Sequence, residues 1–123
     1  MRGLLLALAV AWAAPLEAAG DPAAGAAIYE RCGACHSLAQ DRAGPRHCGL
    51  FGRRAGSIPD FPYSAAMKRS KVVWSEATLD RFLADPGAVI PGTAMAPFGV
   101  SAAAERADLI AYLQQANRSR ECQ

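Results

Sequence analysis

Cys32-Gly33-Ala34-Cys35-His36 sets two thiols three positions apart and follows the second at once with an imidazole. That spacing is the attachment pattern of c-type haem. Two thiols near one end of a short helix can reach the two vinyl groups of one porphyrin and form thioethers with them. The histidine, one step further along, projects over the metal and offers a nitrogen ligand. A CxxC pair also serves as a disulfide redox centre or as half of a zinc site. The first wants a βαβ setting and the second another ligand pair. Neither is apparent, although His47 and Cys48 could complete an irregular metal cluster. With haem attached here, the remaining chain must cover the porphyrin, supply a sixth ligand and shut out water.

The ends of the chain agree with that chemistry. Arg2 gives a charged start, Leu4 to Ala14 is an unbroken apolar run, and small residues lead up to Gly20. Residues 1–20 therefore read as a secretory signal peptide, cut near Ala19/Gly20, because the run is too short to span a bilayer comfortably. The alternative is an uncleaved anchor, which Pro15 disfavours by interrupting the segment. Attachment of haem to thiols requires an exported, thiol-managed compartment, so the protein is expected in the periplasm. Residues 21–123 form one small domain. Removing Arg2 and Glu17 with the leader leaves the charge balance at +2. That is no nucleic-acid footprint. A covalently held porphyrin adds a large apolar surface to a core that a chain this short would otherwise struggle to build.

Asp21-Pro22 is a helix start, an N-cap side chain followed by proline at the first helical position, and predicts a helix into Cys32. Gly25 and Tyr29 share one of its faces. The glycine suggests close approach of another helix, and Tyr29 reads as core packing. A histidine bound to iron needs its other nitrogen held by an acceptor, and a carbonyl in a rigid loop such as Gly44-Pro45 would serve. Gly49, Gly52 and Gly56 make the next stretch turn-rich, with Arg53 and Arg54 within it. Ser64 caps a short helix to about Ser70, and Ser75 another to Asp85, stopped by Pro86. Leu79, Phe82 and Leu83 give the second an apolar face. Trp74 just precedes it, and a buried indole N–H wants a partner such as a propionate oxygen. The loop from Ile90 to Gly99 presents Met95, a thioether whose pairing with histidine is a known axial set that raises haem potential. The alternatives are that Met95 fills core space, or that Met67 competes with it from a helical setting. Ser101 opens a last helix to about Asn117, its inward stripe Arg106, Leu109, Ile110, Leu113 and Ala116 packing on the first helix.

CGACH, then GP, GLFGRRAG (Gly49 to Gly56), FPYS, a tryptophan, TLDRFLADP, PGTAM and RADLIAYL follow one another in an order that resembles a class I cytochrome c of the mitochondrial and purple-bacterial type. The match runs from about Asp21 to Ala116. The resemblance implies an all-α fold, with N- and C-terminal helices packed across each other and short helices and loops around one covalent haem c. It implies thioethers at Cys32 and Cys35 and axial ligation by His36 and Met95. It has the Pro45 carbonyl accepting from the histidine ring, and Arg53, Tyr63, Trp74 and Thr93 holding or shielding the propionates. The implied function is one-electron transfer by a soluble monomer, not enzymatic turnover. The implied partners are a quinol-oxidising cytochrome bc complex and a terminal oxidase or photosynthetic reaction centre.

Several positions depart from that family. Gly87, Ala88 and Ala94 stand where relatives usually carry lysines around the haem edge, which predicts weaker electrostatic steering. The aromatic residue two places after the methionine is replaced by Pro97, with Phe98 one place later. Met67 replaces a residue that is commonly polar, and His47 and Cys48 stand where leucine and histidine are frequent. Cys48 and Cys122 are the cysteines left over in an oxidising compartment. The resemblance brings the loop after Gly44-Pro45 near the end of the last helix, so the pair is a disulfide candidate, against two free thiols. Two rival functions carry their own requirements. A peroxidase or gas sensor needs a labile sixth ligand, and a thiol oxidoreductase needs Cys32 and Cys35 unmodified.

Overall fold

Asp21 and Pro22 start the first helix by two devices at once. In the computed structural model, which describes residues 19–123, Asp21 is extended and its carboxylate accepts from the Ala23 amide at 2.9 Å, while Pro22 occupies the first turn, where its missing N–H costs nothing. Helix α1 (Pro22–Tyr29) tightens into a 3₁₀ segment, Glu30–Ala34. The expected run into Cys32 is thus continuous in path but changes pitch over its last turn. The change serves the motif: the amides of Cys35 and His36 both donate to the Cys32 carbonyl, at 3.1 and 2.9 Å. The signal-peptide reading falls on residues that, save Ala19 and Gly20, lie outside the described ones.

Further along, Ser64 caps α2 (Ala65–Arg69) through the Met67 amide, and Ser75 caps α3 (Glu76–Ala84) in a reciprocal box with Thr78. Pro86 ends α3 but also begins α4 (Pro86–Val89), a stretch that the sequence reading leaves unassigned between the stop at Pro86 and the loop from Ile90. Asp85 is its N-cap, accepting from the Ala88 amide at 3.1 Å, so Asp85-Pro86 repeats the start signal of Asp21-Pro22. Helix α5 (Ala103–Asn117) begins two residues after the expected Ser101 and has no side-chain cap. The reason is tertiary. The Val100 amide donates to the Leu83 carbonyl at 2.7 Å, and the Arg106 guanidinium donates to the carbonyls of Val100 and Ser101 at 3.1 and 2.7 Å. These bonds hold the segment extended through Ser101. A short 3₁₀ turn, Arg120–Cys122, follows.

The crossing of α1 and α5 organises the rest. Gly25 is buried there, and a β-carbon on it would lie 2.7 Å from the Tyr112 β-carbon and overlap the Asp108 carbonyl. Only glycine lets the two backbones meet so closely. Ile28 from α1, Leu109, Ile110, Leu113 and Ala116 from α5, and Leu79, Phe82 and Leu83 from α3 form one continuous core. Among the described residues there is no β-strand. One antiparallel bridge joins Arg54 to Val73, and hydrogen bonds from the Gly52 amide to the Trp74 carbonyl and from the Trp74 amide to the Arg53 carbonyl set Arg53 beside Trp74. No described helix is long and apolar enough to cross a membrane.

Candidate haem site

One side of this core is hollow. A cavity of about 530 Å³ opens between the helices and the long loops, and the residues of the CxxCH motif line it. The 3₁₀ turn delivers Cys32 and Cys35 to its wall as free thiols, the first half-buried and the second exposed. Burial pushes the Cys32 thiol above its ordinary range.

His36 is held by its surroundings. Its Nδ1 is 2.8 Å from the Pro45 carbonyl, the partner that the Gly44-Pro45 turn was expected to provide. An acceptor there puts the proton on Nδ1 and leaves Nε2 with its lone pair free, the state a metal ligand requires. Burial works in the same sense, lowering the imidazole's proton affinity, with the Pro45 contact acting against it. Gly44 lies against the ring so closely that a β-carbon would stand 2.6 Å from both nitrogens. The Gly44 amide also donates to the Cys35 carbonyl at 2.7 Å, and Arg42 to the Gly33 carbonyl at 2.9 Å, so the loop folds back onto the motif.

The other sequence-selected residues reach the same cavity by different routes. Met95 is half-buried on the loop after α4, and its amide donates to the buried Thr93 hydroxyl at 3.3 Å. Trp74 is buried edge-on against Phe82, with ring centroids 5.0 Å apart. Tyr63 accepts from the Ile58 amide at 3.3 Å. Arg53 binds the carbonyls of Cys48 and Arg46 at 3.1 and 2.9 Å, so its guanidinium braces the turn as well as lining the cavity. Met67 lines the cavity too, from α2. Pro97 and Phe98 both border it, and Phe98 is 65% exposed.

Cys48 and Cys122 are joined by a disulfide, with Cα atoms 5.0 Å apart. Cys48 is therefore not available to join Cys32 and Cys35 in a metal cluster. Two residues whose roles the sequence does not give complete the surroundings: Asn117, read as the end of the last helix, and His47, read as a departure from the family and a possible member of a metal cluster. Asn117, at the end of α5, accepts from the Gly49 amide at 2.7 Å and donates to the His47 carbonyl at 3.1 Å. His47 stacks on His36, with ring centroids 4.3 Å apart and planes 22° from parallel. Burial, with His36 and Arg53 nearby, pushes its pKa down to about 3. The signal available was its place two residues after the Pro45 acceptor.

These residues fit a covalent haem. The cavity is of cofactor size, its walls are mainly apolar, its mouth carries two free thiols at one helical turn, and a histidine presents one free nitrogen to it. The comparisons with known proteins agree. The family model for cytochrome c matches residues 22–117. Cytochrome c2 of Rhodomicrobium vannielii is 43% identical over 119 residues, covering 92% of this chain and 95% of that protein. Cytochrome c2 of Blastochloris viridis is 41% identical over 121 residues, covering 95% of each chain. The solved structure of cytochrome cH from Methylobacterium extorquens superposes with a TM-score of 0.74 at 38% identity, covering 78% of this chain and 99% of that one. The chain belongs to the class I cytochromes c, electron carriers rather than enzymes, with a covalently attached haem c.

Proposed function

We propose that the protein is a soluble periplasmic carrier that moves single electrons from a quinol-oxidising cytochrome bc complex to a terminal oxidase or a photosynthetic reaction centre. Its leader would be removed near Ala19/Gly20. The observation that carries the reading is His36 with Nδ1 committed to Pro45 and Nε2 left for a metal, on a cavity that also holds Cys32, Cys35 and Met95. In this reading Cys32 and Cys35 would hold the porphyrin through thioethers, and His36 and Met95 would supply the two protein ligands to its iron. When bound, the haem iron supplies the redox chemistry by cycling between ferric and ferrous states. The chain does the rest. Two protein ligands leave no position for a substrate, which separates this reading from a peroxidase or gas sensor. Leu79, Phe82, Leu83 and Leu109 wall the cavity with hydrocarbon and exclude water, which disfavours the extra charge of the oxidised state. Arg53, Tyr63, Trp74 and Thr93 stand ready for the propionates. Gly87, Ala88 and Ala94 stand where the family usually carries lysines around the haem edge, so docking relies on shape and apolar contact more than on charge.

An optical spectrum of the exported protein in both oxidation states tests the ligand set. Sharp reduced c-type bands, together with the weak long-wavelength band of methionine–iron(III) ligation, are expected. Met95→Ala is expected to abolish that band and admit carbon monoxide. A wild-type protein that lacks the band and binds carbon monoxide readily would refute the sealed carrier. Reduction of the purified protein by quinol and bc-complex membranes, with loss on a specific bc inhibitor, tests the donor.

A further inference from the structure

We infer that His47 is a positioning residue for His36: its imidazole is a flat stop, stacked on the ligand ring and braced by Tyr29, that sets the rotation of that ring about its own side-chain bond. The inference rests on the reading of His36 as an axial ligand.

The rotation needs a stop. The terminal torsion of a histidine is broad. A carbonyl acceptor tolerates a wide range of approach directions. The bond from Nδ1 to Pro45 therefore tethers one edge of the ring without fixing its plane. A parallel face at 4.3 Å acts directly on the plane, because turning the His36 ring drives it into the neighbour.

His47 is itself held well enough to act this way. Its amide donates to the carbonyls of Ser37 and Leu38, each at 3.1 Å, and its own carbonyl accepts from Asn117 at 3.1 Å. The next residue is tied by the disulfide to Cys122. At the ring, Nδ1 is hydrogen-bonded to the Tyr29 hydroxyl at 3.0 Å, and the Tyr29 ring meets it edge-on at 5.6 Å. Tyr29 in turn packs on Tyr112, with centroids 5.1 Å apart, at the α1–α5 crossing. The stop is thus anchored where α1 and α5 cross. An aliphatic side chain would fill the same space, but it would offer neither a plane nor a polar tie to Tyr29.

The test uses the full, haem-loaded protein with His47→Leu, His47→Phe and Tyr29→Phe. The readout is the set of haem-methyl proton shifts in the ferric state, which follow the orientation of the axial ring, with thermal unfolding recorded beside it. His47→Phe keeps a flat face but loses the bond to Tyr29, and is expected to move the methyl shifts only as far as Tyr29→Phe does. His47→Leu is expected to redistribute them while the methionine band persists. A leucine variant with the wild-type pattern, or leucine and phenylalanine variants that move it alike, would overturn the inference. Should His47→Leu fail to accumulate, Tyr29→Phe decides alone. Loss of one hydroxyl is expected to displace the pattern in the same direction by a smaller amount, and an unchanged pattern refutes the proposal. A ferric wild type whose iron carries no imidazole is a different result: it removes the reading of His36 as a ligand, and this inference with it, whereas a high-spin form that keeps His36 removes only Met95.

Discussion

Replacing Cys48 and Cys122 together by serine opens a bridge between residues 74 positions apart. The chain-entropy relation gives a loop of that size about 4.4 kcal/mol of stabilisation at 25 °C, exerted on the unfolded chain. Little of it should be recovered in the folded state. Asn117 still binds the His47–Leu50 turn through the Gly49 amide and the His47 carbonyl, so the native contacts around the bridge survive its loss. Haem attachment does not duplicate the constraint either, because Cys32 and Cys35 lie outside the 48–122 loop. For a domain near this size each ~1 kcal/mol moves the midpoint by about 4–8 °C, so a fall of roughly 18–35 °C is expected. The unfolded chain also becomes more extended, so the dependence of stability on guanidinium concentration should steepen. Guanidinium unfolding followed by far-ultraviolet circular dichroism, with the haem spectrum monitoring the native site, measures both quantities. A loss below about 1 kcal/mol with an unchanged slope would refute the loop-closure argument. A large loss with an unchanged slope would place the effect in the folded state instead.

Gly25→Ala gains about 1 kcal/mol of helix propensity but puts a β-carbon into the Asp108 carbonyl, and a net loss of roughly 2 kcal/mol by urea unfolding is expected. Arg106→Leu removes the 2.7 Å pair with Asp80 and uncovers two carbonyls that the guanidinium serves. It should cost about 2–4 kcal/mol. Asp80→Asn should cost under about 1 kcal/mol, because Asp80 is 47% exposed while the arginine side chain is 12% exposed; equal losses from the two variants would refute that division. Burial raises the phenol pKa of Tyr29, and of Tyr112 by less. An unfolded tyrosine ionises near pH 10, so the unfolded state sheds a proton that the folded state keeps; stability is full below that pH and falls above it by up to about 1.4 kcal/mol per unit. Tyr29→Phe should flatten that alkaline slope in thermal midpoints, and an unaltered slope would assign it elsewhere.

What the chain reveals in its letters and what it withholds divide along a physical line. The CxxCH spacing, the Ser64 and Ser75 caps and the Asp21-Pro22 start are interactions between residues within four positions of each other, so a local pattern carries them whole. The same rule would have found α4, since Asp85-Pro86 repeats a pair already recognised as a start; only its role as a stop had been weighed. The delayed start of α5 is a different matter. Ser101 has the composition of a cap, but a carbonyl on α3 and an arginine one turn into α5 hold its neighbourhood extended. Cys32, Cys35, His36, Pro45, Arg53, Tyr63, Trp74, Thr93 and Met95 were legible as cavity residues because each sits in a family pattern. His47 was not. Its environment is assembled from Tyr29 on α1, His36 at the end of the motif, and Asn117 at the end of α5, three segments that meet only after the helices have crossed. Substituting an imidazole where leucine is frequent reads in one dimension as a change of polarity next to a leftover cysteine. In three dimensions it adds a plane beside another plane and a hydrogen bond to a helix. Local rules assign neither, since both depend on the angle at which distant chain segments arrive.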